Sequence, residues 1–103
     1  MEGINRYIVI KSDWLFKCYY ILEILKIKRL ESWKISLYKL TCDIEIECIV
    51  RYKCFLSGED IYTYYKDDIS YEDILKNLVY SSDLFYECKE FIELSIVNKK
   101  YNV

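Results

Sequence analysis

Between residues 44 and 56, apolar and polar side chains alternate over thirteen positions. Ile44, Ile46, Cys48, Val50, Tyr52, Cys54 and Leu56 fall on one side. Glu45, Glu47, Ile49, Arg51, Lys53 and Phe55 fall on the other. A period of two marks a strand with one buried face, because successive side chains point to opposite sides of a sheet. The run is about twice the usual strand length, so a bend or bulge midway is expected.

The flanking pattern supplies neighbours for this strand. Residues 6–10 read as a short opening strand, and Trp33, Ile35 and Leu37 alternate with Lys34, Ser36 and Tyr38 as another. Residues 41–43 turn the chain into the long strand. Ser57-Gly58-Glu59-Asp60 reads as a hairpin, since Gly58 takes positive φ at little cost, and residues 61–65 return. Residues 13–30 read as a helix capped by Ser12, with Asp13 in its first turn. Its apolar positions surround the axis, so either the helix is buried on most sides or residues 21–28 form a strand.

The C-terminal third changes period. Ser70 stands at an N-cap with Asp73 three residues on, and Ile69 and Ile74 occupy the hydrophobic-staple positions. Tyr71, Ile74, Leu75, Leu78 and Val79 form one helical stripe; Leu84, Phe85, Cys88, Phe91, Ile92, Ser95 and Ile96 form a second. The stripes are out of phase by about 100°, which places a break at Ser81-Ser82, with Ser82 capping the last helix. The pattern predicts a single α+β domain over residues 1–103. Its order is a short strand, a helix, a three-stranded antiparallel meander over residues 33–65, then two C-terminal helices packed on the sheet.

Composition narrows the class. The chain has 103 residues and is 53% apolar, enough for one core. It has no Ala, Pro, Gln or His but twelve Tyr, a bias toward AT-rich codons that points to a low-GC bacterium, phage, mobile element or large DNA virus. No segment resembles a secretory h-region, and none approaches the ~20 uncharged residues of a membrane span. Five cysteines, an odd number, read as reduced thiols in a cytoplasmic protein. The net charge of −2 is unevenly spread. Residues 59–93 carry ten acids and three bases, whereas residues 1–58 carry ten bases and seven acids. The acidic half is a poor footprint for phosphates, so no direct nucleic-acid binding is expected.

Candidate chemistry is thin. Without histidine, Ser–His and Cys–His pairs are impossible. Cys42, Cys48 and Cys54 recur every six residues, but on a strand that spacing is roughly 20 Å, too far to share one metal ion. Glu45 and Glu47 beside a strand resemble the restriction-type nuclease core, yet Ile49 stands where that pattern needs a lysine. Gly3 and Gly58 are the only glycines, which excludes Gly-rich phosphate loops. No catalytic residue, metal or cofactor is expected.

What remains is tyrosine among acids. Tyr19, Tyr20, Tyr52, Tyr65 and Tyr71 read as core or core edge. On the last helix Asp83, Tyr86, Glu87, Glu90 and Glu93 share the polar arc, and Tyr80 falls on the polar side of the preceding one. Tyr62 and Tyr64 share one strand face, followed by Asp67 and Asp68. Exposed Tyr beside acids is typical of protein interfaces. The expectation is therefore a non-enzymatic, cytoplasmic protein-binding inhibitor from a virus, phage or mobile element. It would block a host defence effector such as a nuclease through an acidic, Tyr-bearing surface facing a basic partner, in the manner of an anti-CRISPR protein. An immunity protein or an antagonist of host signalling is the nearest alternative. A small divalent-metal-dependent nuclease or phosphodiesterase, and a self-associating homodimer, represent other classes.

Overall fold

The computed structural model describes residues 5–12, 17–36, 39–57 and 59–101, with side chains described outside residues 29–43 and 98–101. Its elements in chain order are β1 (Tyr7–Ser12), β2 (Cys18–Ser36), β3 (Lys39–Phe55), β4 (Asp60–Ser70), α1 (Tyr71–Asn77), β5 (Leu78–Ser82) and α2 (Phe85–Tyr101). The strands form one antiparallel sheet in the order β4-β3-β2-β1-β5. The α+β class holds, and the sheet has five strands where a short strand and a three-stranded meander, four in all, were expected.

Three expectations are corrected. The segment expected to be helical over residues 13–30 is strand from Cys18 onward, and residues 13–16 lie outside the described part. Its apolar residues surround the axis for a different reason: Ile21 and Leu22 are neighbours, both fully buried, because β2 is central and covered on both faces. Residues 33–36 are strand as expected, but as the end of β2, and residues 37 and 38 lie outside the described part. The expected turn at 41–43 is instead strand within β3, and the β2–β3 pairing runs from Arg29↔Ile44 to Ser36↔Lys39 with a register shift between Arg29 and Trp33. That ribbon runs past the ends of β1 and β4 and helps give the molecule its 46 Å long axis. Finally, the chain leaves α1 before Ser81: Leu78 is already extended at φ −67°, ψ 124°. Leu78–Ser82 then pairs with β1, filling an edge that would otherwise be bare.

The long alternating run does contain its bulge, and that bulge organises the core. On β2, Ile21 and Leu22 are adjacent, but their β3 partners are Tyr52 and Val50, leaving Arg51 as the extra residue. One extra residue shifts the alternation by one, so side chains beyond it change face. Ile46, Cys48 and Val50 therefore cluster with Ile8, Leu22 and Ile74 of α1. Tyr52 and Cys54 cluster instead with Val9, Ile21, Cys88 and Ile92, the last two from α2. The two helices lie on opposite faces of the sheet. Ile49, assigned to the polar side by strict alternation, is buried.

The C-terminal signals are met in part. Ile69 and Ile74 pack in one cluster, and Ser70 occupies the N-cap of α1 without making a side-chain capping bond. Ser82 does bond at the start of α2, its Oγ accepting from the Leu84 N–H at 3.1 Å. No helix among the described residues is long and apolar enough to cross a membrane.

Candidate functional site

The helix α2 buries Cys88 and Ile92 completely and seats Phe85 edge-on against Tyr7 and Tyr52, with ring centroids 5.8 Å and 6.3 Å away. That seating leaves two flanks, one facing β5 and one facing β4. They differ in charge.

On the β5 flank, Tyr80 stacks on Phe91 with centroids 4.6 Å apart and planes 5° from parallel. Tyr80 was expected on a helix; its position on a strand edge is what brings its ring flat against α2. The pair floors an open groove of about 530 Å³, rimmed by Tyr86, Glu87, Glu90 and Leu94. Tyr86 is 62% exposed and Leu94 55% exposed. Among the described residues Glu90 has no ion-pair partner. Glu87 is held in place, its Oε2 accepting from Ser82 Oγ at 2.6 Å. Burial, and then the Glu87 carboxylate, push the Tyr80 phenol above its ordinary value.

The remaining acids of the arc are committed elsewhere. Asp83 Oδ1 accepts the Arg6 backbone N–H at 2.9 Å, tying the start of α2 to β1. Glu93 pairs with Lys89 one helical turn earlier at 3.7 Å.

On the β4 flank the tyrosines keep cationic company. Arg51 lies over the Tyr64 ring at 4.6 Å, and Lys89 over the Tyr62 and Tyr52 rings at 5.5 Å and 5.9 Å. Arg51, Tyr62, Thr63, Tyr64 and Phe85 line a second, smaller groove of about 330 Å³. The bulge aims Arg51 here, and its Nη2 donates to both oxygens of the buried Glu23 at 2.6 Å and 3.1 Å. Asp67 and Asp68 do not join either groove. Asp68 pairs with Lys28 at 3.4 Å, and Asp67 Oδ1 accepts the Asp68 N–H.

The nine candidate residues thus form no single patch. Tyr86, Glu87 and Glu90 are brought together; Tyr62 and Tyr64 form a separate patch across α2, and Asp67 and Asp68 lie apart. Sequence reasoning missed Phe91 and Leu94 as members of the first groove. Leu94 was detectable, because it follows Glu90 by four positions and interrupts an otherwise polar arc.

The thiols among the described side chains are buried. Cys18, Cys48, Cys54 and Cys88 are free and buried, and Cys42 lies outside the described side chains. Burial pushes Cys48 and Cys88 to about 11 and Cys54 to about 12, with Asp67 adding to the effect at Cys48 and Asp60 at Cys54. A thiolate is the reactive species, and these sites disfavour it. No protein-family model, no curated protein and no solved structure matches the chain.

Proposed function

We propose that the protein is a non-enzymatic binding factor that inhibits a partner through the Tyr86 groove of α2. The observation that carries this reading is the groove's make-up: a stacked aromatic floor, an exposed tyrosine and leucine, and a rim of carboxylates. Interfaces concentrate energy in aromatic anchors, while charges around them steer association and select the partner. An acidic rim suits a basic surface. Nucleic-acid-handling effectors carry such surfaces, and the codon bias fits a virus, phage or mobile element that benefits from blocking one.

The test is binding to purified nucleic-acid-processing effectors, followed by inhibition of their activity, at several salt concentrations. Association should slow as salt rises. Glu90→Lys should slow association further, and Tyr86→Ala should speed dissociation. Glu90 is the cleaner charge to reverse, because Glu87 also bonds Ser82. Magnesium-dependent cleavage of nucleic acid by the isolated protein would sink the reading in favour of a nuclease.

A further inference from the structure

The edge strand β4 is eleven residues long, is bonded to β3 on one side only, and exposes almost every side chain. Natural sheets blunt such an edge with charges, proline, bulges or brevity, because its unpaired backbone groups template another strand. β4 carries one irregularity, where Thr63 and Tyr64 face Arg51 between the Val50–Tyr65 and Tyr52–Tyr62 pairs. Here residues 61–65 are an uncharged Ile-Tyr-Thr-Tyr-Tyr run of strong strand formers, with Ile61, Tyr62, Tyr64 and Tyr65 all exposed.

The order of residues along β4 adds a second observation. Read from Asp60 to Lys66, the strand is complementary to its own reverse about Thr63. An antiparallel pairing of two copies about that residue sets Thr63 against Thr63, Tyr62 against Tyr64, Ile61 against Tyr65 and Asp60 against Lys66. Opposite charges then face each other at both ends of the ladder.

The faces agree as well. A two-fold axis normal to a sheet requires paired residues to point to the same side. Asp60 is registered with Cys54 and Tyr62 with Tyr52, both on the α2 side, and Tyr64 lies under Arg51 on that side. Lys66 is registered with Ile49, which pairs with Glu23 in the same row as Tyr7. Tyr65 is registered with Val50 on the α1 side and Ile61 with Lys53, whose ammonium lies over the Tyr65 ring. Every pair in the ladder is therefore matched in face. The next pair outward would oppose Glu59 to Asp67; Glu59 precedes the strand, and those like charges mark where the ladder stops. Among the described residues, Lys66 has no ion-pair partner within its own chain.

We infer that β4 pairs with β4 of a second copy of this chain, joining two sheets into one continuous ten-stranded sheet centred on Thr63. The pairing uses backbone edges, so it leaves the Tyr86 groove of each copy open and does not depend on the partner proposed above.

Sedimentation equilibrium over a wide concentration range, with circular dichroism to monitor folding, tests the pairing by charge exchange. The wild type should show a monomer–dimer equilibrium. Lys66→Glu sets a carboxylate against Asp60 at both ends of the ladder and should weaken the dimer roughly tenfold or more. Asp60→Lys should act similarly by opposing two ammonium groups, although Asp60 also neighbours Tyr52 and Cys54. The double variant Asp60→Lys with Lys66→Glu restores opposite charges and should restore the dimer. A wild type that stays monomeric throughout overturns the inference. So does a dimer that Lys66→Glu leaves unchanged, which would place the contact on another surface.

Discussion

The two faces of the sheet are built from the same strands but hold different kinds of core. Under α1 the buried packing is aliphatic, Ile8, Leu22, Ile46, Val50 and Ile74 with Cys48, bordered by the half-buried Tyr20 and Tyr71. Under α2 it is aromatic and partly polar, with Tyr7, Tyr52, Phe85 and Phe91 around Val9 and Ile21. Glu23 and Ser82, the buried polar residues among those described, both belong to the α2 side. Glu23 keeps only 4% of its side chain exposed and is held by Arg51, with Arg6 at 3.5 Å. The bulge at Arg51 creates this contrast. It turns the alternating pattern of β3 from one face to the other and points a guanidinium at the carboxylate on β2. A short helix can cover an aliphatic face by area alone, whereas the α2 face depends on specific partners.

The largest expected effect follows from that dependence. Removing one member of a buried ion pair strands the other, at a cost of about 3–5 kcal/mol. Glu23 is buried but Arg51 keeps 30% of its side chain exposed to water, so Glu23→Ala should fall at or below the lower end of that range, about 2–3 kcal/mol, in urea melts. Replacing Glu23 and Arg51 together with apolar residues of similar volume should recover most of the loss, since a well-packed apolar pair can match a buried ion pair. If Glu23→Ala melts like the wild type, the α2 face is not organised by charge.

A pH titration of stability separates the faces next. In the unfolded chain a thiol has an ordinary pKa of about 8.5. In the folded protein Cys54 and Cys88 on the α2 side, and Cys48 on the α1 side, lie at about 12, 11 and 11. Below the unfolded value both states keep their protons and the burial of neutral sulfur contributes fully. Above it the unfolded state ionises first, so stability falls as pH rises toward the folded values. The loss is up to about 1.4 kcal/mol per pH unit for each thiol. Melts from pH 8 to 10 should therefore slope downward. Replacing Cys54 and Cys88 with Val should remove about two thirds of the slope assigned to these three thiols, and Cys48→Val about one third. A flat profile would mean that the three sulfurs reach water.

Ile49 and Val50 are adjacent and both buried, at 6% and 2% exposure, on opposite faces of β3. Truncating either to Ala should cost roughly 1–3 kcal/mol, because each deletes packed methyl groups. Glu47→Ala should stay within about 0.5 kcal/mol, since its contact with Lys28 is a surface pair. A silent Ile49→Ala would mean that the face of β3 opposite Val50 is not tightly packed at that position.

These residues also show how far the sequence could be read. The β3 pattern, its midway irregularity, the antiparallel return into β4 and the Ile69–Ile74 staple were legible because each rests on local sequence pattern, while Gly58 of the expected turn lies outside the described residues. Where the phase shifts was not. Nothing in the order Val50-Arg51-Tyr52 distinguishes a bulge from regular pleating, and the choice is made by Leu22 and Ile21 on another strand. The helix expected at 13–30 failed for a related reason: a run that is apolar all round fits a buried helix or a strand covered on both faces, and only the second helix layer decides between them. At the candidate site, exposure was legible for Tyr86 and Glu90. The fates of Asp83, Glu87 and Glu93 were not, since each is set by a single partner: Arg6, Ser82 or Lys89.

The smallest effect compares the two serines that precede the helices. Ser82 is buried, and its hydroxyl both donates to Glu87 and accepts from the Leu84 N–H. Ser82→Ala removes both bonds and takes the partner from the Leu84 N–H, just ahead of α2, at a cost of about 1–2 kcal/mol. Ser70 immediately precedes α1, at its N-cap, but makes no side-chain bond there, and it is exposed. Ser70→Ala should therefore change stability by no more than about 0.5 kcal/mol, despite the stronger capping-box pattern around it. Urea melts of the two variants decide the matter. Equal losses would show that α1 is capped in solution as its sequence suggests, and would make the aliphatic face as dependent on a specific polar contact as the face under α2.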